Sequence, residues 1–223
     1  MAQSVEHVLG KDEVPGPIPG RGFMDKKYVS VDVETSGSTP GKYSMLSLGA
    51  CIVGDVNKRF YAELKPLNLN FDEAAMRVGC LGLKCLERLT FMDRYNPKSA
   101  NFKPGLVLEL LSQEGRRPDD AMLIFKAWLM SSTEGYKPVI AAAPIIFDGM
   151  FISWYFDNFS IENPFGHSGE DINSMYRGAV RNNNTSIKDL GLRSDKELSH
   201  NALEDAIQQS IEFEKVLEIM NQR

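Results

Sequence analysis

Apolar and polar positions first alternate clearly at residues 28–33 (YVSVDV), where Val29, Val31 and Val33 share one face of a predicted strand. A polar, glycine-containing loop, Thr35 to Gly41, follows it. Met45 to Val53 predicts a second strand, and Gly54-Asp55 turns into a third, Arg59 to Leu64, closed by Pro66. So short a connection pairs strands antiparallel. Beyond Asp72, positions Ala74, Ala75, Val78, Leu83, Leu86 and Leu89 take helical spacing, broken near Gly79 and Gly82. Residues 96–105, with Pro97 and Pro104, read as an irregular loop.

Pro118-Asp119-Asp120 opens a predicted helix through Met130, with Met122, Phe125, Leu129 and Trp128 facing inward. Val139 to Ala143 is wholly apolar between two prolines, the pattern of a strand buried on both faces. A helix from Phe147 to Asn158 comes next. The last helix, Asn201 to Asn221, carries one stripe of Leu203, Ala206, Ile207, Ser210, Phe213, Leu217 and Met220. Three early strands followed by helices around a buried strand predict an α/β fold, a mixed sheet with helices on it.

Composition narrows the class. The 223 residues are 43% hydrophobic and 25% charged, the mixture of a folded globular protein with a core of its own. No apolar run is long enough for a membrane span. Residues 1–24 (Pro15, Gly16, Pro17, Pro19, Gly20, Gly22) read as a flexible leader without the basic start and apolar run of a secretory signal, and residues 25–223 as the domain. Three cysteines without metal-like spacing, Cys51, Cys80 and Cys85, read as reduced, small apolar residues; together these features point to the cytoplasm. Twenty-five basic against 30 acidic residues argue against wrapping duplex DNA by bulk charge, though not against an enzyme that holds cations at a phosphate.

Three acidic features are candidates for chemistry. Asp32 and Glu34 lie two apart on the first strand, so both carboxylates point the same way, a costly pair on an apolar strand unless a divalent cation sits between them. An edge strand with a solvated polar face would also accept them. Asp148, the sole charge between Lys137 and Asp157, follows the carboxyl end of the buried strand, where open α/β sheets place ligands; a first-turn helix acid is its plain structural alternative. In Ser199-His200-Asn201-Ala202-Leu203-Glu204-Asp205-Ala206, Ser199 or His200 starts the last helix. Asp205 lies beside its inward stripe, and His200 can accept a proton at neutral pH.

In combination, Asp32-Val33-Glu34-Thr35-Ser36-Gly37, Phe147-Asp148-Gly149-Met150-Phe151 and His200-Asn201-Ala202-Leu203-Glu204-Asp205-Ala206 resemble the DEDDh (DnaQ-like) 3′-to-5′ exonuclease superfamily over about residues 26–220. The resemblance implies an RNase H-like three-layer fold, with strands 1–3 antiparallel, later strands parallel to strand 1, and flanking helices. It implies that Asp32, Glu34, Asp148 and Asp205 ligate two Mg²⁺ or Mn²⁺ ions and that His200 is the general base. Backbone groups at Thr35 and Ser36 would hold the terminal nucleotide, with Met45, Phe147 and Phe151 as candidate contacts to it. Single-stranded nucleic-acid 3′ ends would be the partner, 5′-mononucleotides the product, and a homodimer a state common among relatives. Hydrolysis of phosphodiesters by two hard cations held by carboxylates is the chemistry such a set serves.

Two positions depart from the family pattern. Relatives often carry Asn, preceded by His, four residues before the middle Asp; here these are Pro144 and Ala143. An apolar wedge after the Thr-x-Gly loop is replaced by Ser38. These departures keep two alternatives open, a nuclease-like binding module without turnover and a phosphodiesterase acting on short oligonucleotides. The basic positions Arg177, Arg181, Lys188, Arg193 and Lys196 read as a solvated face or a phosphate track.

Overall fold

The computed structural model describes residues 26–193 and 200–222. The leader expected over residues 1–24, and positions Lys196 and Ser199, lie outside the described residues. A five-stranded mixed sheet in the order β3-β2-β1-β4-β5 is built from β1 (Lys26–Thr35), β2 (Met45–Ile52), β3 (Asp55–Glu63), β4 (Lys137–Ala142) and β5 (Gly169–Asp171). Strands β1, β2 and β3 pair antiparallel, while β4 runs parallel to β1 and β5 parallel to β4, as the sequence predicts for its first four strands. This is the RNase H-like arrangement. β1 is therefore central, not an edge. β5, only three residues long, is a strand the sequence pattern did not reveal.

The alternation of β1 builds two different faces. Val29, Val31 and Val33 join a core with Met122, Phe125 and Leu129 of α3 (Pro118–Thr133) and Phe151, Ile152 and Tyr155 of α4 (Ile145–Asn158). The opposite face is covered by α6 (Ala202–Asn221), which crosses β1, β2 and β3, and by α5 (Ile172–Val180), packed beside it around Ile172, Tyr176, Phe213 and Val216. The region after β3 forms a satellite cluster from α1 (Glu73–Gly79), two short 3₁₀ turns and α2 (Pro104–Glu114).

Three sequence expectations change. The segment expected as a loop through Gly105 ends instead in α2, because Pro104 occupies its first turn, where the missing N–H costs nothing. Asn201, not Ser199 or His200, caps α6, accepting from the backbone N–H groups of Leu203 and Glu204. The inward face of α6 is also rotated: Ala206, Ser210 and Phe213 are buried as expected, but Ala202, Asp205, Gln209 and Val216 join them while Leu203, Ile207 and Leu217 are only half-buried and Met220 is exposed. The rotation has a steric cause on β2. A β-carbon on Gly49 would stand 2.1 Å from the Ala202 carbonyl carbon, so only glycine admits the helix start this close to the sheet.

The three cysteines are unpaired, with Cys51 and Cys80 buried and Cys85 half-buried. Among the described residues no helix is long and apolar enough to cross a membrane. Gly49→Ala should force α6 off β2, costing about 1–3 kcal/mol as an overpacked contact. Urea unfolding would measure it; an unchanged midpoint would contradict the packing described.

Candidate active site

The site is assembled where β1 outruns β4. Their pairing ends at Ser30 opposite Ala141, so the later β4-side backbone groups of β1 lack a strand partner. Asp148 supplies one: its Oδ1 accepts the Val33 N–H at 3.0 Å. Asp148 stands in the first turn of α4, whose N-cap residue, Pro144, offers no side-chain bond; Asp171 accepts the Ile145 N–H instead and anchors the helix start. The carboxyl of Asp148 is thus brought into the electrostatic field of both acids of β1.

α6 brings the third acid. Asp205 is 8% exposed on the buried helix face, and its backbone N–H bonds the Asn201 carbonyl. Oxygens of Glu34 and Asp205 and a ring nitrogen of His200 all lie within 4.8 Å of one another. Asp32 stands in the electrostatic field of Asp148, Glu34 and Asp205. The four acids expected from sequence therefore converge, with the imidazole beside them. Burial, followed by mutual repulsion, pushes Asp32 and Glu34 well above the usual carboxylate range. Asp148 is pushed up by burial to about 7, against the opposing effect of the Val33 N–H.

His200 is half-buried and has φ +49°, a left-handed conformation uncommon outside glycine. The next residue fixes it. Asn201 caps α6 and donates from Nδ2 to the Gly82 carbonyl at 2.7 Å. A β-carbon on Gly82 would lie 2.5 Å from the His200 carbonyl oxygen. Gly79, three residues earlier, approaches Glu34 from the other side: its β-carbon would stand 3.2 Å from Glu34 Oε2. The end of α1 and the turn after it therefore wall the site, Gly82 required there by close approach and Gly79 in tight contact.

Sequence reasoning missed Gln209. It is buried on α6 one turn after Asp205, donates from Nε2 to Asp32 Oδ1 at 2.9 Å, and accepts the Ala143 N–H at 2.9 Å. It thus ties Asp32 to the end of β4, beside the Ala143-Pro144 positions that depart from the family pattern. An amide on the buried helix face, four residues from Asp205, was the available signal.

The substrate positions divide. Met45 and Phe151 are wholly buried in the core, Met45 facing α4 and Phe151 facing β1, so neither presents a surface to a ligand. That expectation is corrected: both serve packing. Thr35 and Ser36 are buried with their hydroxyls turned onto the Gly37 and Asn70 carbonyls, which leaves only backbone groups for contact. Phe147 is half-buried, its ring 5.3 Å from that of Phe151. Of the basic positions, Arg193 is not solvated surface: it pairs with fully buried Glu212, at 2.9 Å through Nη2, and stands in the field of Asp205 and Asp32.

Carboxylates are hard oxygen donors, and the acids of this set fit Mg²⁺ or Mn²⁺, with the imidazole beside them left free for proton transfer. The raised acids also fit it, since cations would relieve the repulsion that holds their protons on.

In the metal-free protein these carboxyls keep protons to higher pH than in the unfolded chain, so the native state binds more protons. Stability should therefore fall as pH rises from the ordinary carboxylate range through about 7, the value for Asp148. Thermal melting with a chelator at about pH 5 and about pH 8 tests this, and Asp148→Asn should flatten the slope. A melting temperature that rises over this interval would contradict it.

No protein-family model matches the chain. The 3′-5′ DNA exonuclease Cap18 of Escherichia coli is 40% identical over 152 residues, 68% of this chain and 68% of that protein. Among solved structures, the nuclease domain of 3′hExo, a DEDDh family member bound to rAMP, superposes with a TM-score of 0.57 at 11% identity, covering 87% of this chain and 92% of that one. E. coli Exonuclease I in complex with a dA16 oligonucleotide gives 0.56 at 12% identity over 89% of this chain. The chain spans 43% of Exonuclease I, less than half its length. Likeness at such low identity concerns the fold; the curated relative carries the kinship. By that kinship the chain belongs to the family of the 3′-5′ DNA exonuclease Cap18, on the fold that it shares with DEDDh exonucleases.

Proposed function

We propose that this exonuclease shortens single-stranded DNA from its 3′ end, releasing 5′-mononucleotides, with Asp32, Glu34, Asp148 and Asp205 holding two divalent cations and His200 acting as the base. The observation that carries the reading is the meeting of Glu34, His200 and Asp205 within 4.8 Å at the end of a strand whose Asp32 and neighbour Asp148 share the same field. DNA as substrate is supported by the name of the 40% identical relative.

When bound, the cations supply charge at the phosphate and make water a nucleophile at neutral pH. The chain's own groups do the rest. His200 takes a proton from the attacking water at a ring nitrogen as the water oxygen bonds to phosphorus. The bond from phosphorus to the 3′ oxygen of the preceding nucleotide breaks, and that oxygen gains a proton from solvent. Asn201 and the Gly82 carbonyl fix the backbone that presents the imidazole. Gln209 holds one oxygen of Asp32, leaving the other for a cation. Four carboxylates nearly cancel the charge of two divalent ions, so a phosphate can approach.

Incubation of 5′-labelled single-stranded DNA with the protein and Mg²⁺ or Mn²⁺ should give a ladder shortening from the 3′ end, abolished by chelator. Asp32→Asn or Asp205→Asn should abolish hydrolysis while the fold persists, and His200→Ala should slow it by roughly 10²–10⁴-fold with metal binding retained. Full activity in any of the three would remove that residue from the mechanism. Gln209→Leu should raise the Mn²⁺ concentration for half-maximal rate by roughly 10–100-fold, the usual worth of a group that orients a metal ligand. An unchanged metal dependence would reduce Gln209 to packing.

A further inference from the structure

Some surface cations of this protein are neutralised by acids. Lys58 pairs with Glu134, Arg117 with Asp119, Lys126 with Glu162, and Lys215 with Glu218. One region concentrates cations that are not. Residues 77–103 hold six Lys or Arg against two Asp or Glu, in a chain whose totals are 25 against 30. Arg88, Arg94, Lys98 and Lys103 are exposed there, and none forms an ion pair among the described residues. Of the two acids, Asp93 accepts instead from Asn101.

In the middle of these cations stands Phe91, 81% exposed, the most exposed large hydrophobic side chain among the described residues. Burying such a side chain is worth roughly 1.5–3 kcal/mol, so its exposure forgoes stability. Close by, the Arg94 guanidinium lies 5.4 Å from the Tyr95 ring centre. Free cations interleaved with aromatic faces are what a single strand needs, since its phosphates are anionic and every base has a π-face.

The region adjoins the catalytic cleft. It contains the Gly82 turn, whose carbonyl accepts from Asn201 beside His200. Thr90, the neighbour of Phe91, lines one cavity of about 340 Å³ with Gly82, Asn201 and Glu204. That cavity carries Glu87 and Glu204 and would repel phosphate, so a strand runs over the cationic rim and not into the cavity.

We propose that Phe91 with Arg88, Arg94, Lys98 and Lys103 forms a second nucleic-acid site, a track that grips the single strand several nucleotides 5′ of the end being hydrolysed. It rests on the exonuclease reading above and assigns a surface which that reading does not need. The track does not touch the reacting phosphate, so it governs length dependence and leaves the chemical step alone.

The test compares the wild type, Phe91→Ala and the double variant Arg88→Gln/Arg94→Gln on a long oligodeoxynucleotide of about 20 residues and on a dinucleotide, sizes set either side of the few-nucleotide span of one single-strand site. On the long substrate, KM should rise roughly 10-fold, with kcat within about 2-fold, because these side chains hold the strand equally in the ground and transition states. On the dinucleotide neither constant should move. The double variant should also lower the salt slope of KM, in log–log form, by about 0.7 for each phosphate it no longer neutralises. Fluorescence anisotropy of the long strand on Asp32→Asn protein, with and without Phe91→Ala, reads strand binding without turnover. Equal KM, salt slope and anisotropy in variants and wild type would overturn the track while the exonuclease stands. A wild type that hydrolyses neither substrate, yet loses strand affinity with Phe91→Ala, would sink the exonuclease reading and keep the surface.

Discussion

The structure depends on keeping four carboxylates together where water can do little for them. Like charges held in a buried cluster repel, and each also loses hydration, so the ionised cluster opposes folding unless something of opposite charge enters. Here the cost is visible in three of the acids themselves: Asp32, Glu34 and Asp148 hold their protons beyond the usual range. Such a site is unfavourable as pure architecture. Its persistence makes sense as a cage for cations, and perturbed acids in a cleft are what catalytic sites are built from.

Three separate pieces of backbone hold that cage, and each is placed by a specific physical device. The two acids of β1 are fixed by a central strand and by its pleat, which turns the valines to one core and the carboxyls to the other face. Asp148 is fixed by an unfinished ladder, since it takes the hydrogen bond that β4 would have taken. Asp205 is fixed by the close seating of α6, which Gly49 allows and the Asn201 cap orients. The imidazole is presented by a left-handed turn locked to the Gly82 carbonyl, with the ion pair of Arg193 and Glu212 anchoring the chain just before residues 194–199. None of these devices is interchangeable with another, which is why a site from three distant segments can be held by one rigid scaffold.

Much of this was legible in the residues. Period-two valines marked β1, one short turn marked the antiparallel second and third strands, and the proline-bounded apolar run marked β4. The D-x-E pair, the lone Asp148 and the His200–Asp205 segment pointed to the candidate site because their types and order resemble a known family and are unusual for a plain core. Other features were hidden for physical reasons. A proline such as Pro104 ends one element and starts another, and local pattern does not say which. Three residues of β5 are too few to show a period. Met45 and Phe151 point into the core, Met45 by the register of its strand and Phe151 by its position on the inward face of α4. Gln209 and the rotated face of α6 follow from what the helix packs on, information that resides in Gly49 of a distant strand.

Whether the four carboxylates cage two cations is tested most directly by counting the ions bound. Equilibrium Mn²⁺ binding, followed by paramagnetic resonance on the wild type and on Asp148→Asn, should give two ions per chain in the first and fewer, or much weaker, in the second. A wild type that binds no Mn²⁺ at millimolar levels, or an Asp148→Asn protein that binds two as tightly as before, would contradict it.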